Sequence, residues 1–502
     1  MGQFLSYLLI IMVLVAFAQI SMKYAKSYHF YIKKFLHISA ILMCAHATIY
    51  LPTLPLFFIV IVAFIALIIA IFFGFLADPI TLEKEWGVVY FAGVYVLMLC
   101  CVLYRNQQEF QVAAAYALTI LAISDGFAGI IGRALSNRKQ QKISIQGLDN
   151  NATKRVVKEK SMYGFTAFVV SSFLIVAYFL YEFTGYSNTE VWVAAMVVSM
   201  LLAVTEYLSV RGTDNLTVTI FAFLLIHWLR SNSFSGAFLF TDREFFLLIL
   251  LSILLLFIVI KLRFLTFSGS LLAWLLAFAV LILSKQSLLP LLFFLVVGSL
   301  LGKLPVREIV SDDRFHKPRN AFQVFANGGV VLILGLCQWG LGLLDSLILT
   351  AMEMEKLMLV SVAICMADTA SSELGSRFGG RPRDILTWQP LHPGVSGGVS
   401  WLGTIVGFFG SLLLISIGAY QISMSIYEII SFVLLGFTGM LLDSYLGSKF
   451  QYKVAIHGQW VDANSDDLGR EYKGLKLITN NSVNFTSNAL IIFLLFLFFL
   501  CF

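Results

Sequence analysis

The chain has 502 residues, of which 59% are hydrophobic and only 12% are charged, and its formal net charge is +6. Soluble domains carry about a quarter charged residues, so this composition excludes an ordinary soluble protein. The basic residues are concentrated in loops, where they indicate membrane topology rather than a nucleic-acid partner. We therefore expect a protein that resides in a lipid bilayer.

Apolar runs recur along the whole chain, and about sixteen of them approach the length that a membrane-spanning helix needs. They begin near residues 4, 36, 56, 87, 111, 161, 190, 216, 245, 264, 287, 321, 356, 398, 426 and 487. The lysine-rich loop after the first run indicates a cytoplasmic loop, and strict alternation places most other basic loops on the same side. The expected fold is an all-α polytopic membrane protein of about sixteen transmembrane helices, in the plasma (inner) membrane.

The two halves of the chain carry the same polar features in the same order. In each half the fifth apolar run ends in an aspartate followed by small residues and an arginine, SDGFAGIIGR and ADTASSELGSR. The seventh run ends with a carboxylate, Glu206 or Asp443, and the eighth opens with polar residues, TDNLTVT or TNNSVNFTSN. We therefore expect two similar eight-helix domains in parallel orientation, at residues 1–240 and 245–502.

The polar residues within these runs point to a chemical role. An ionisable group in a membrane span costs several kcal/mol unless it is paired or hydrated, so each is a candidate functional group. Carboxylates suit Mg²⁺ or another divalent cation, which takes oxygen ligands and often bridges to phosphate. Glycine-rich turns with basic neighbours suit phosphate. Together these features indicate phosphoryl or nucleotidyl transfer to a lipid, with the sites on the cytoplasmic face, which nucleotides reach.

Candidate residues of the first half also have structural interpretations. Asp125 could cap a helix or pair with Arg133, and the glycines of GFAGIIG could serve close helix packing instead of phosphate binding. Lys160 and His37 are as consistent with a position at the membrane interface as with a specific role. The sequence leaves these alternatives open.

In the second half, Asp368 and Glu373 cannot lie on one face of a regular helix. They are five residues apart, which corresponds to about 140° of rotation around the helix axis. Either the helix opens between Ser371 and Gly375, or the two carboxylates serve different partners.

Five segments of the second half match the motifs of one known family in order. They are RNAFQVFANGG (319–329), ADTASSELGS (367–376), PGVSGGVSWLGT (393–404), GMLLDSYLGSKFQ (439–451) and TNNSVNF (479–485). On these segments the second half resembles a family of integral membrane proteins, long known only as a domain of unknown function, that includes the plant phytyl-phosphate kinase. One departure is that the family's usual Asn-Asp pair is Asn480–Asn481 here.

Four segments of the first half carry a second resemblance. They are KKFLH (33–37), SDGFAGIIGR (124–133), KSMYG (160–164) and TEYLSVRGTDNLTV (205–218). On these segments the first half is similar to the phytol and dolichol kinase family, which is related in fold to phosphatidate cytidylyltransferases. It departs from that family's pattern at Ser124, at Met162–Tyr163 and at Thr213.

The two resemblances imply an isoprenoid salvage kinase. The first half would use CTP to phosphorylate a polyprenyl alcohol such as phytol, geranylgeraniol or farnesol. The second half would phosphorylate the resulting monophosphate to the diphosphate. Both families are associated with CTP as the donor and with Mg²⁺ or another divalent cation. The implied partners are the bilayer, the isoprenoid alcohol and its phosphate, and the nucleotide, with no nucleic acid.

The motifs also imply roles for individual residues. The catalytic carboxylates would be Asp125, Glu206, Asp214, Asp368, Glu373 and Asp443, with metal held chiefly by Asp125, Asp214, Asp368 and Asp443. Nucleotide and phosphate groups would be bound by Gly126, Gly129, Arg133, Lys160, Asn215, Arg319, Asn320, Arg377, Ser396, Gly397, Gly398, Asn480 and Asn484.

Two other functions are compatible with the same features. A cytidylyltransferase that makes a CDP-lipid would release pyrophosphate, whereas a kinase would release CDP. A lipid-phosphate transporter or flippase would favour polar groups near the middle of the membrane. The polar groups here cluster toward the inner ends of their spans, which argues against transport.

Overall fold

The fold is taken from a computed structural model of the chain. It describes residues 29–52, 108–136, 161–209, 214–234, 254–284, 286–304, 318–343, 349–456, 459–462, 472–476 and 478–501, together with a few isolated positions. The chain separates into two compact units, Met1–Leu251 and Ser252–Phe502. This boundary lies close to the predicted division at residues 240–245.

Within the described residues, nine helices are long and apolar enough to cross a membrane. The prediction of a helical polytopic membrane protein is therefore confirmed. The total of about sixteen spans stays a prediction, because the runs that begin near residues 4, 56, 87 and 245 lie largely outside the described residues.

The described part of the first unit is built from helices. Its elements are α1 (His29–Tyr50), α2 (Gln108–Ile120), a π-helical turn (Leu121–Asp125), α3 (Gly126–Ser136), α4 (Met162–Phe183), α5 (Asn188–Leu208) and α6 (Asp214–Phe234). The π-helical turn joins α2 and α3 into one long span, and such turns are frequent at functional sites. It leaves Ser124 and Asp125 buried inside the unit.

The second unit packs around one long helix. Its helices are α7 (Phe267–Leu283), α8 (Leu288–Leu301), α9 (Ala321–Leu343), α10 (Ala351–Phe378), α11 (Trp401–Gln421), α12 (Ile426–Lys449) and α13 (Asn480–Cys501). Helix α10 contacts α8, α9, α11, α12 and α13. Its residues from Met354 to Ala367 are all buried, so α10 forms the centre of the apolar core.

The loops of the second unit contain two small antiparallel sheets. One pairs β1 (Arg383–Asp384) with β2 (Gly398–Val399), and the other has the order β4-β3-β5, from Gln459–Asp462, Lys453–Ile456 and Tyr472–Lys473. The all-α prediction treated these segments as polar loops. The apolar alternation in KVAI and QWVD is too short to distinguish a strand from a loop by sequence alone.

The same serine–glycine contact begins one helix in each unit. Ser161 Oγ accepts a hydrogen bond from the Gly164 amide at the start of α4, and Ser400 Oγ accepts one from the Gly403 amide at the start of α11. In each unit the helix before the loop supplies a glycine, Gly132 or Gly375, which approaches that serine and glycine closely. The shared geometry supports the proposed similarity of the two halves.

We predict that Gly375→Val destabilises the second unit. A Cβ atom at this position would lie 3.0 Å from Gly403 Cα and 3.1 Å from Ser400 Oγ, so α10 and α11 would have to separate. Overpacking of this kind costs about 1–3 kcal/mol. Thermal unfolding in detergent should show a lower midpoint than for Gly185→Ala, a control whose added Cβ meets nothing within 4 Å. Equal midpoints for the two variants would contradict the close packing of α10 and α11.

Candidate functional site

Three predicted carboxylates of the first unit meet in one cluster. Asp125 comes from the π-helical turn, Glu206 from the end of α5 and Asp214 from the start of α6. Their ligand oxygens all lie within 4.8 Å of one another. Among the described residues, no other group of three or more carboxylate, histidine or cysteine side chains is arranged in this way. A hard divalent cation takes oxygen ligands, so this cluster fits Mg²⁺.

Two basic side chains of α1 contact the cluster. Lys34 Nζ lies 2.7 Å from Asp125 Oδ2, and His37 Nε2 lies 3.2 Å from the same oxygen. The sequence interpretation assigned Lys34 to topology and left His37 open. Their three-residue spacing places both on one helix face, a signal that could have identified the pair. Asp125 therefore has these two partners on α1. Arg133, the pairing partner considered for Asp125 from the sequence, instead has its guanidinium carbon 4.4 Å from the centroid of the Phe30 ring.

The glycines after Asp125 serve close helix packing. A Cβ atom on Gly126 would lie 2.5 Å from Ile38 Cδ1, and one on Gly129 would lie 2.6 Å from Lys34 Cε. Both glycines therefore make room for side chains of α1, which favours the structural interpretation over the predicted phosphate contact. Asn215 is buried beside Asp214, whose Oδ1 accepts a hydrogen bond from the Asn215 amide. Lys160 lies outside the described residues.

In the second unit, Asp368 and Asp443 lie close enough to repel each other electrostatically. Asn484 Nδ2 lies 3.4 Å from Asp368 Oδ2, and Ser487 Oγ donates a hydrogen bond to Asp443 Oδ1 at 3.1 Å. Helices α10, α12 and α13 therefore bring two predicted carboxylates and one predicted amide together. These oxygen and amide groups could hold a cation, although they form a smaller cluster than the one at Asp125.

Glu373 faces a different set of partners. Its carboxylate forms an ion pair with Arg377 and lies 3.4 Å from Arg319 Nη2. Helix α10 continues without a break through this region. The helix does not open between Ser371 and Gly375, so the two carboxylates serve different partners, one of the two alternatives left by the sequence.

Arg377 and Asn320 stabilise helix ends. The buried Arg377 guanidinium donates to the carbonyl oxygens of Gly302 at 2.9 Å and Leu304 at 3.1 Å, just beyond α8. Asn320 Oδ1 accepts from the Gln323 amide at 3.1 Å and so caps α9. The predicted phosphate contacts of Arg377 and Asn320 would compete with these bonds.

The glycine-rich turn at 394–398 holds a carboxylate of the protein. The Ser396 amide and hydroxyl donate to Asp462 Oδ2 at 3.1 and 2.7 Å, and Lys453 Nζ donates to Ser396 O at 2.6 Å. A phosphate bound to this turn would have to displace Asp462. Asp462 and Lys453 were not predicted from the sequence, because they lie in a segment interpreted as a plain loop.

The two glycines of this turn have conformational roles. Gly397 has φ +85°, and a Cβ atom there would lie 2.6 Å from Ser448 Cα. Gly398 pairs with Asp384 in the small sheet. Asn480 begins α13, and its Oδ1 lies 3.3 Å from Ser396 Oγ, which joins the turn to that helix.

Two charged groups near the turn have shifted pKa values. Burial lowers the pKa of Lys453, and the nearby Asp462 and Asp384 carboxylates oppose that shift in part. Burial raises the pKa of Asp384, but hydrogen bonds from the Thr387 and Leu386 amides and from the Ser448 hydroxyl outweigh it and lower the pKa overall.

Similarity to known proteins is clear for the second half. Residues 250–492 match the family described as integral membrane protein DUF92. The chain is 29% identical over 233 residues to Protein PGR of Arabidopsis thaliana, covering 42% of this chain and 80% of that protein. It is 25% identical over 188 residues to an uncharacterized membrane protein of Methanocaldococcus jannaschii, covering 36% of this chain and 72% of that protein. No solved structure matches significantly. The resemblance of the first half to phytol and dolichol kinases stays a prediction.

We predict that ionisation of Asp384 makes the thermal stability of the second unit depend on pH. A pKa below the ordinary 3.8 means that the ionised carboxylate stabilises the folded state above that pH. This stabilisation is lost as the pH falls through the lowered folded pKa. Asp384→Asn should therefore lower the thermal midpoint at pH 7, and the difference from the unmodified protein should shrink below about pH 4.

The control for this prediction is Leu386→Ala. The change leaves the backbone amide that donates to Asp384 Oδ1 in place and truncates an exposed side chain. The thermal midpoint of Leu386→Ala should therefore depend on pH in the same way as that of the unmodified protein. A difference between Asp384→Asn and the unmodified protein that stays constant from pH 7 to pH 3 would contradict the assignment.

Proposed function

We propose that this protein is a membrane-bound phosphotransferase that phosphorylates an isoprenoid alcohol and then its monophosphate, with CTP as the donor. The observation that carries the proposal is the convergence of Asp125, Glu206 and Asp214 beside Lys34 and His37. These five side chains come from four separate elements of the first unit, α1, the π-helical turn, α5 and α6. An ionisable group within a membrane span is costly unless it is paired or hydrated, so this concentration of charged groups is a candidate functional site.

The first unit would act on the alcohol. Its three carboxylates would hold Mg²⁺, and a bound Mg²⁺ supplies charge neutralisation and alignment of the nucleotide phosphates. The alcohol oxygen forms a bond to the terminal phosphorus of CTP, and the bond to the β-phosphate oxygen breaks to release CDP. The proton of the alcohol would pass to the Glu206 oxygen that does not contact the cation, because proton transfer requires a positioned acceptor.

The second unit would act on the monophosphate. Its acceptor already carries negative charge, so charge neutralisation matters more than a base. Asp368 and Asp443 would hold a cation, and Asn484 would orient Asp368 through the hydrogen bond between them. Arg319 lies within electrostatic reach of Asp368 and would balance the charge of the phosphate.

The position of the carboxylates along their helices supports sites near one membrane face. Asp125 and Asp368 each lie about 26 Å along their span from its first residue, at a rise of 1.5 Å per residue. The hydrocarbon core is about 30 Å thick, so a span that begins at one interface places them near the other. We propose that this second face is the cytoplasmic face of the plasma membrane, where CTP is available.

Two units on one chain are consistent with consecutive reactions. The monophosphate released by the first unit is the acceptor for the second, and it remains in the membrane because of its prenyl chain. The combined proposal therefore needs only one soluble substrate, the nucleotide.

We predict that Asp125→Asn abolishes formation of the monophosphate. The change removes one negative charge from the cluster that would hold the cation, and the loss should exceed about 100-fold. The assay uses purified protein in detergent, CTP labelled in its terminal phosphate, and phytol, geranylgeraniol or farnesol. Glu190→Gln is the control, because Glu190 belongs to a helix cap at the start of α5. Release of pyrophosphate with a CDP-lipid product would replace the kinase with a cytidylyltransferase.

We predict that Asp368→Asn leaves monophosphate formation intact and stops diphosphate formation. The monophosphate should therefore accumulate in the same assay, because only the second unit has lost a carboxylate of its site. The matched control is Glu353→Gln, which changes a carboxylate at the opposite end of α10. Diphosphate formation at the unmodified rate would remove the second unit from the proposed reaction.

A further inference from the structure

Lys34 provides an internal cation for the carboxylate cluster. Its ammonium lies 2.7 Å from Asp125 Oδ2 and is within electrostatic reach of Asp214 and Glu206. The ammonium therefore lies at an oxygen that a cation ligand would use.

The fold provides a specific path for the Lys34 side chain. A Cβ atom on Gly129 would lie 2.6 Å from Lys34 Cε and 3.1 Å from Lys34 Nζ. The lysine stem therefore crosses α3 at a residue without a side chain. This contact is independent of the ion pair, and it shows that the position of the ammonium is built into the packing of α1 on α3.

We propose that Lys34 is an exchangeable counter-ion, which leaves Asp125 when a divalent cation binds the cluster and then contacts the phosphate of the incoming nucleotide. The inference rests on the proposed function, because it assumes that the cluster binds a cation together with a nucleotide. A lysine suits this exchange, since its charge is compact and its four-carbon stem is flexible enough to reposition the ammonium while α1 stays in place. The released ammonium would remain near the site because α1 holds its backbone.

A permanent structural role for Lys34 makes the opposite prediction. If Lys34 orients Asp125 for the cation, its removal should weaken cation binding. If Lys34 competes with the cation, its removal should strengthen cation binding in the absence of nucleotide. The sign of the change in affinity therefore separates the two roles without any measurement of catalysis.

The test measures Mn²⁺ binding by electron paramagnetic resonance, with full-length protein purified in detergent. Asp368→Asn is included in every sample to remove the carboxylate pair of the second unit. We expect Lys34→Met to bind Mn²⁺ about tenfold more tightly, the size of effect that one nearby charge has on a carboxylate. Lys34→Arg keeps a competing charge and should remain close to the parent. Unchanged or weaker binding in Lys34→Met would overturn the proposal.

A second variant tests the path of the side chain. Gly129→Ala adds a methyl group where Lys34 crosses α3, so it should displace the ammonium and also tighten Mn²⁺ binding. Gly132→Ala is the matched control, because its added Cβ meets Ser161 Oγ and Gly164 instead of Lys34. The same Mn²⁺ affinity in both glycine variants would overturn the proposal.

Binding of a non-hydrolysable CTP analogue completes the test. With Mg²⁺ saturating, Lys34→Met should bind the analogue about tenfold more weakly, because one contact to phosphate is lost. Unchanged binding of the analogue would overturn the second step of the exchange.

The combined outcomes distinguish the exchange from the proposed function. Tighter Mn²⁺ binding and weaker analogue binding, without phosphoryl transfer to any prenol, would support the exchange and contradict the proposed function. Phosphoryl transfer with unchanged Mn²⁺ affinity in Lys34→Met would remove the exchange alone.

Discussion

The structure depends on how each unit accommodates carboxylates inside a membrane. An isolated carboxylate there is costly, so every such group needs a cation, a hydrogen-bond donor or water. In the first unit, Asp125 has Lys34 and His37 as partners. In the second unit, Asp368 has the weaker donor Asn484 and repels Asp443. A divalent cation bound at either cluster would add to these partners in balancing the carboxylate charge.

The two units share one feature of helix packing. Gly132 in α3 and Gly375 in α10 allow close approach to the start of the next helix. The same serine–glycine contact begins α4 and α11. The two units therefore share this local geometry and carry different polar groups. The first has three carboxylates in one cluster, whereas in the second Glu373 forms ion pairs with Arg319 and Arg377.

Local sequence features predicted the helices well, because apolar length and capping residues act over short distances. They also identified the carboxylates, since charged residues in apolar runs are conspicuous. Partners that are remote in sequence were harder to predict. The contact of Lys34 with Asp125 spans 91 positions, and that of Asp462 with Ser396 spans 66. The helical angle between Asp368 and Glu373 left two alternatives, and only the continuity of α10 and the positions of Arg319 and Arg377 decided between them.

The central claim is that Asp125, Glu206 and Asp214 form one cation site. The most direct measurement is an anomalous difference map from crystals of the full-length protein grown with Mn²⁺. The account predicts a strong peak within bonding distance of all three carboxylates, with the Lys34 ammonium moved away from Asp125. A map without a peak at this cluster, while the protein retains phosphoryl transfer, would contradict the account.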